Sequence, residues 1–157
     1  MKIGNWPLLL LALEHAEKHP DEYNQSSWRG SYEGCGTTRC VAGWIAKFAG
    51  YTDISHDTVQ VCVPGGDESN YSDWRYVDAA ALTALEIDLV DEDEPRNGRT
   101  LREELEDNLF DGSLSWSDVL TTVADLARAD GVTPTPVLLA AMRREGVIDE
   151  HDDWVQR

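Results

Sequence analysis

The chain has 157 residues, of which 41% are hydrophobic and 27% are charged, which is enough apolar material for one compact domain with a core. Asp and Glu number 30 against 13 Lys and Arg, so the formal net charge is −17. This charge argues against direct binding to nucleic acid or to an anionic membrane, because both depend on clustered Lys and Arg. We therefore expect a single acidic globular domain over residues 1–157, with a charged tail at 149–157 that can be mobile.

Two amphipathic helices are predicted in the first third of the chain. The first runs from about Pro7 to His19, where Asn5 can cap its start. The second runs from about Thr38 to Ala49, with Thr37 or Thr38 as its cap. The apolar side chains of this second helix recur at helical spacing, at Cys40, Val41, Trp44, Ile45 and Phe48.

One β-strand is predicted from strict alternation. Val59, Val61 and Val63 alternate with other residues ahead of a Pro-Gly-Gly turn. A strand needs a hydrogen-bonded neighbour, and either 51–54 or 71–76 could provide it, as a β-hairpin or short sheet. Cys62 lies on the face opposite the valines, and we expect only one of the two faces to be buried.

Four further helices are predicted in the second half of the chain. Their extents are from Trp74 to near Leu89, from Leu101 to Leu109 behind a capping box of Thr100 and Glu103, from Ser115 or Ser117 to just before Gly131, and from Val137 to Glu145 behind Thr135 and Pro136. The fold class is therefore expected to be mainly α, a compact helical domain with a small β-hairpin or short sheet.

The most distinctive segment reads Cys-Gly-Thr-x-x-Cys-x-Ala-Gly-Trp and continues into a helix that ends in Ala-Gly, over residues 35–50. This segment resembles a motif found in small proteins of actinobacterial phages and their hosts. The resemblance implies a phage or actinobacterial accessory protein and carries no mechanism with it; ten Arg against three Lys fit a GC-rich genome of that kind. The small residues of the motif would let another backbone approach the helix closely. We assign a structural role to its most characteristic residues, Cys35, Gly36, Cys40, Gly43 and Trp44.

The three cysteines are too few for a disulfide framework, which favours a reducing cytoplasm, and they permit two other interpretations. Cys40 or Cys35 could act with His56 in a cysteine-dependent hydrolase or transferase, because a helix N-terminus can lower a thiol pKa. Alternatively Cys35, Cys40, His56 and Cys62 could hold zinc in a metal-stabilised structural module. The spacing lacks the close pairs typical of zinc sites, and a thiol in an apolar helix is typical of a buried core residue. We expect no catalytic residue, metal or cofactor.

Acidic residues concentrate in the second half of the chain. Between Glu86 and Asp130 there are fourteen Asp and Glu against four Arg. On the Leu101–Leu109 helix the carboxylates point away from the leucines, and Phe110 is expected on the same outward arc. Carboxylates four residues apart on a helix are roughly 6 Å apart along its axis, a spacing suited to imitating a phosphate track. The predicted partner-binding residues are Glu92, Asp93, Glu94, Glu103, Glu106, Asp107, Phe110 and Asp111.

These patterns together favour a non-enzymatic interaction protein, encoded by a phage, that binds and inhibits a basic host protein. The most specific version of this hypothesis is a DNA mimic directed against a restriction, repair, nuclease or transcription factor in the cytoplasm of the host cell. The expected partner is therefore a basic protein that itself binds nucleic acid, and neither a nucleic acid nor a membrane.

Overall fold

The computed structural model describes residues 2–23, 39–54, 57–87, 100–152 and 154. These residues form a mainly helical fold with a small three-stranded antiparallel sheet, which confirms the expected fold class. None of the described helices is long and apolar enough to cross a membrane. The elements are α1 (Trp6–Lys18), α2 (Val41–Phe48), β1 (Thr52–Ile54), β2 (Asp57–Cys62), a 3-10 helix (Tyr71–Asp73), β3 (Trp74–Tyr76), α3 (Val77–Ala84), α4 (Leu101–Asn108), α5 (Trp116–Asp130) and α6 (Pro136–Arg144).

Four helices begin at the caps that the sequence indicates. The side chain of Asn5 accepts a hydrogen bond from the N–H of Leu8 at the start of α1. Helices α4 and α5 each begin with a complete capping box, in which the cap side chain and the third helical residue bond to each other's backbone. Helix α6 is capped by Thr135, and α5 ends at Gly131 in the left-handed conformation, which glycine adopts without a steric penalty.

Helix α2 begins three residues later than predicted. Its cap is Cys40, whose backbone is extended and whose Sγ accepts the N–H of Gly43 at 3.3 Å. The preceding residue, Arg39, forms a parallel bridge with Tyr23 and donates its N–H to the carbonyl of Glu22 at 2.8 Å. This extended pairing keeps the helix from starting earlier; Thr37 and Thr38, the expected caps, lie outside the described residues.

The sheet uses both of the predicted partners, with β2 between β1 and β3. The segment Trp74–Tyr76 is therefore a strand and not the first turn of a helix, because it pairs with β2 over residues 60–62. Both faces of β2 are buried, in contrast to the expectation of one, since Val61 and Cys62 are 4% and 1% exposed. Val61 joins the main core, whereas Cys62 is covered by the turn at Gly66, where an added Cβ would lie 3.0 Å from its sulfur.

One hydrophobic cluster joins all six helices and the inner face of the sheet. Helix α2 packs against α1 and α3, α1 against α6, and α5 against α4 and α6. The largest fully buried side chains in the cluster are Phe110, Leu9, Leu13, Ile45, Leu85, Leu105, Leu109, Leu120, Leu138 and Met142.

Two carboxylates tie distant helices together. Glu17 of α1 accepts the indole N–H of Trp116 at 2.8 Å and pairs with the guanidinium of Arg144, which joins α1 to α5 and α6. The hydrogen bonds from Arg144 are the main reason that the pKa of Glu17 is lowered. At the other end of α1, Asp130 accepts the indole N–H of Trp6 at 2.9 Å and the backbone N–H of Ile3 at 3.1 Å.

The described part of the tail lies against α5. The indole N–H of Trp154 donates to the carbonyl of Val132 at 3.0 Å, and the guanidinium of Arg128 lies 4.7 Å from the centre of the Trp154 ring. Arg128 also donates to the carboxylate of Asp152 at 2.8 Å. These contacts hold residues 152 and 154 on the body of the fold.

Candidate functional site

Helix α4 presents carboxylates on the side opposite its core contacts. Leu105 and Leu109 are fully buried, whereas Glu103 and Asp107 are exposed, so the predicted orientation of this helix is confirmed. Glu103 and Asp107 are one turn apart, which places them about 6 Å apart along the helix axis. Asp111, just beyond the helix, is partly exposed.

Two of the carboxylates on α4 also serve the helix itself. Glu103 completes the capping box by accepting the backbone N–H of Thr100 at 2.9 Å. Glu106 accepts a hydrogen bond from Nε of Arg102 at 2.8 Å, an ion pair between residues one turn apart. A variant that removes charge from this surface must therefore keep a hydrogen-bond acceptor at both positions.

The prediction that Phe110 lies among these carboxylates is wrong. Helix α4 ends at Asn108 with Leu109 as its cap, so Phe110 does not occupy the next helical position. Its N–H donates to the carbonyl of Leu105 at 2.9 Å, and the side chain is only 1% exposed. Phe110 is therefore part of the main hydrophobic cluster and not of the acidic surface.

The described part of the acidic region carries a large excess of negative charge. Residues 100–130 contain eight Asp and Glu against two arginines. Arg102 is paired with Glu106, and Arg128 with Asp152 and more loosely with Asp125. The predicted residues Glu92, Asp93 and Glu94 lie outside the described residues, so their position relative to α4 stays a prediction.

Several basic side chains elsewhere in the described structure are engaged in contacts within the chain. Lys18 pairs with Glu14, and Arg39 pairs with Asp53. Hydrogen bonds from Arg39 are the main reason that the pKa of Asp53 is lowered. Lys47 lies 5.3 Å from the centre of the Trp44 ring. Some of these cations therefore pair with carboxylates of the fold, and the basic residues of the chain are too few to balance its acidic ones.

Cys40 has a structural position. It is fully buried, and this burial raises the pKa of its thiol to about 11, although N–H groups of Gly43 and Ala42 and the charge of Arg39 act in the opposite direction. A thiol with this pKa is almost entirely protonated at neutral pH and is a poor nucleophile. The helix N-terminus thus uses Cys40 as a cap and does not activate it.

The sequence suggested that Gly43 lets another helix approach, but the nearest neighbour of this glycine is Arg39 of its own segment. A Cβ added there would lie 3.1 Å from the Cβ of Arg39, one turn earlier. Trp44 is 4% exposed, and its indole N–H donates to the carbonyl of Glu22 at 3.3 Å. The motif residues Cys35 and Gly36 lie outside the described residues.

The alternatives that depend on His56 are not tested by the described residues, because Cys35 and His56 lie outside them. Cys40 and Cys62 are both buried, the first in the main cluster and the second under the turn beyond β2. Within the described ranges, no group of three or more His, Cys, Asp or Glu side chains is placed to hold a metal ion.

A feature that the sequence reasoning missed lies around β3. Tyr71 and Tyr76 are 77% and 60% exposed, the highest values among the large hydrophobic side chains that the structure describes. The Tyr71 ring packs on Trp74 with centroids 4.6 Å apart. The available signal was three aromatic residues within six positions of a polar loop, which we interpreted only as a possible strand.

A second missed cluster lies between α1 and α2. Nε2 of His15 is 2.8 Å from a carboxylate oxygen of Glu22, and the His15 ring packs at a tilt of 47° against Trp44, with centroids 4.0 Å apart. Phe48 packs on the same Trp44 ring. This cluster covers the α1–α2 contact and lies beside the characteristic motif.

The described surface therefore offers carboxylates on α4 and exposed aromatic rings on the 3-10 helix and β3, whereas the thiol of Cys40 is buried. Comparison of the chain with models of protein families, with curated proteins and with solved structures finds no match.

Proposed function

We propose that this protein is a non-enzymatic binding protein that docks onto a basic protein and inhibits it. The docking surface is the acidic face of α4, which we define as Glu103, Glu106 and Asp107. The observation that carries the proposal is the pair of exposed carboxylates one turn apart on a helix whose other side is buried, in a chain with a net charge of −17. Such a surface speeds association with a basic partner, and salt weakens this effect.

The sharpest form of the proposal is a mimic of DNA. Glu103 and Asp107 of α4 are about 6 Å apart along the helix axis, a distance on the scale of the spacing between phosphates. A protein that binds DNA presents clustered Lys and Arg to the phosphates, and an acidic helix can occupy the same groove. The partner would be a restriction, repair, nuclease or transcription factor in the cytoplasm of a bacterial host, and the resemblance of residues 35–50 to phage proteins supports that setting.

The burial of Cys40 argues against the form of the cysteine-dependent alternative that uses this thiol. Catalysis by this thiol would need a thiolate within reach of substrate, and the cap position of Cys40 is closed to solvent. The cap hydrogen bond from Gly43 gives the thiol a role in starting α2.

The test compares two variants with the same change of net charge. The triple change Glu103→Gln, Glu106→Gln and Asp107→Asn removes three charges from the acidic face and keeps an acceptor for Thr100 and Arg102. The matched control removes three charges at exposed positions elsewhere, by Asp21→Asn, Asp149→Asn and Glu150→Gln. Both should unfold at close to the wild-type denaturant concentration.

The assay loads an actinobacterial lysate onto immobilised duplex DNA and elutes it with each purified protein at low and high salt. We expect the wild-type chain and the control to release the same DNA-binding protein, and the acidic-face variant to release much less. The difference should shrink as salt is added, because charge steering is screened. Equal release by both variants would remove α4 from the interface, and no release by the wild-type chain would refute the mimic.

A further inference from the structure

The residues around β3 form an aromatic patch, which we define as Tyr71, Trp74 and Tyr76; the two tyrosines are exposed and the tryptophan is half-buried. Trp74 and Tyr76 are two residues apart on a strand, so they lie on the same face of the sheet, about 7 Å apart. Tyr71 adds a third ring against Trp74, with centroids 4.6 Å apart. Apolar side chains that are grouped at a surface, and not scattered over it, can mark a binding site.

The patch is held in place by the loop before it. The indole N–H of Trp74 donates to the carbonyl of Glu68 at 2.9 Å, and Asp73 accepts the backbone N–H of Asp67 at 2.9 Å. The side chain of Asn70 caps the 3-10 helix by accepting the N–H of Ser72. Because these bonds already fix the backbone that carries the rings, this segment would lose little conformational entropy when a partner binds.

The charge around the patch is predominantly negative. The loop contributes Asp67, Glu68 and Asp73, of which the first two are exposed. The cation on the same strand is Arg75, which points to the other face of the strand and donates to the carbonyls of Ser72 and Trp74 at 2.8 and 2.7 Å. Its charge is therefore directed at the loop backbone, and the rings are bordered by carboxylates.

We infer that the aromatic patch binds an arginine-rich segment of the basic partner. A guanidinium group stacks on Tyr and Trp rings, is only weakly hydrated, and pairs with carboxylates, so the patch and its acidic border fit arginine better than lysine. This inference rests on the proposed function, and it supplies the apolar anchor that Phe110 cannot provide from the core. Tyr, Trp and Arg are the residues in which interface energy is most often concentrated.

The test uses a fluorescent peptide of nine arginines and a matched peptide of nine lysines. The double change Tyr71→Ala and Tyr76→Ala should weaken binding of the arginine peptide by about tenfold or more. It should also reduce the ratio by which the protein binds the arginine peptide more tightly than the lysine peptide. Tyr71→Phe with Tyr76→Phe keeps the ring faces and should bind within about twofold of wild type. Trp74 is left unchanged in both, because its indole holds the loop.

A second measurement locates the peptide directly. In a titration followed by NMR, the indole N–H signal of Trp74, assigned with a Trp74→Phe variant, should move more than the other indole signals. Equal affinity of the Tyr→Ala variant and wild type, or shifts confined to α4, would overturn the inference and leave the proposed function standing. Failure of the wild-type chain to bind either peptide at low salt would count against both.

Discussion

Replacing Phe110 by alanine tests whether this side chain belongs to the core or to the binding surface. The side chain is 1% exposed, and it is among the largest fully buried side chains described. Removing roughly 150 Å² of buried apolar surface, at about 25 cal/mol per Å², lowers the free energy of unfolding by about 4 kcal/mol. Measured Phe→Ala changes in cores span about 3–5 kcal/mol, which agrees with this value. An exposed Phe110 would instead give a change within about 0.5 kcal/mol.

The assay is urea unfolding followed by circular dichroism, with thermal unfolding as a second measurement. For a chain of this size the melting temperature should fall by roughly 8–16 °C. Leu11→Ala is the control, because Leu11 is 51% exposed and its truncation should change stability by less than about 0.5 kcal/mol. A Phe110→Ala variant as stable as the control would show that the end of α4 has been misassigned and would return Phe110 to the surface.

Three further predictions concern the ties and caps of the fold. Glu17→Gln keeps an acceptor for Trp116 but loses the ion pair with Arg144, so unfolding should become easier by less than about 1 kcal/mol. Because the pKa of Glu17 is lowered in the fold, this stabilisation is present above the ordinary pKa of glutamate. It is lost as the pH falls through the pKa of Glu17 in the folded state, so the melting curves of wild type and Glu17→Gln should converge at low pH. Cys40 should resist iodoacetamide at pH 8 until urea unfolds the chain, because burial raises the pKa of its thiol to about 11. Rapid labelling of Cys40 in the native protein, measured by peptide mass mapping, would support a reactive thiol. Gly43→Leu should cost about 1–3 kcal/mol in denaturant unfolding, since even its Cβ would crowd Arg39, and a neutral result would show that Arg39 moves freely.

The features predicted correctly depend on residues close in sequence. The capping boxes of α4 and α5 and the cap of α6 each involve a side chain and a backbone group three residues apart. Likewise, the spacing of Leu105 and Leu109 was enough to orient the acidic face of α4, because the helical period decides which side is buried. Local chemistry therefore predicted most helices and the outward side of the site.

The features predicted wrongly depend on residues far apart. The late start of α2 follows from the bond between Arg39 and Glu22, and the strand at Trp74–Tyr76 exists because β2 lies beside it. The aromatic patch could not be predicted for the same reason, since tyrosines in an alternating segment are equally typical of a buried sheet face. Exposure of Tyr71 and Tyr76 is decided by where the loop after β2 folds.

The contacts of Glu17 with Trp116 and Arg144 have a consequence for the order in which the chain folds during synthesis. Arg144 lies 127 residues after Glu17, and ribosomes add roughly 5–20 residues per second, so this partner emerges roughly 6–25 s later. Helix α2 can cover one side of α1 early, because the two are neighbours in sequence. The side of α1 that faces α5 and α6 has to wait, so α1 leaves the ribosome before the other five described helices and yet is among the last of them to be completely packed.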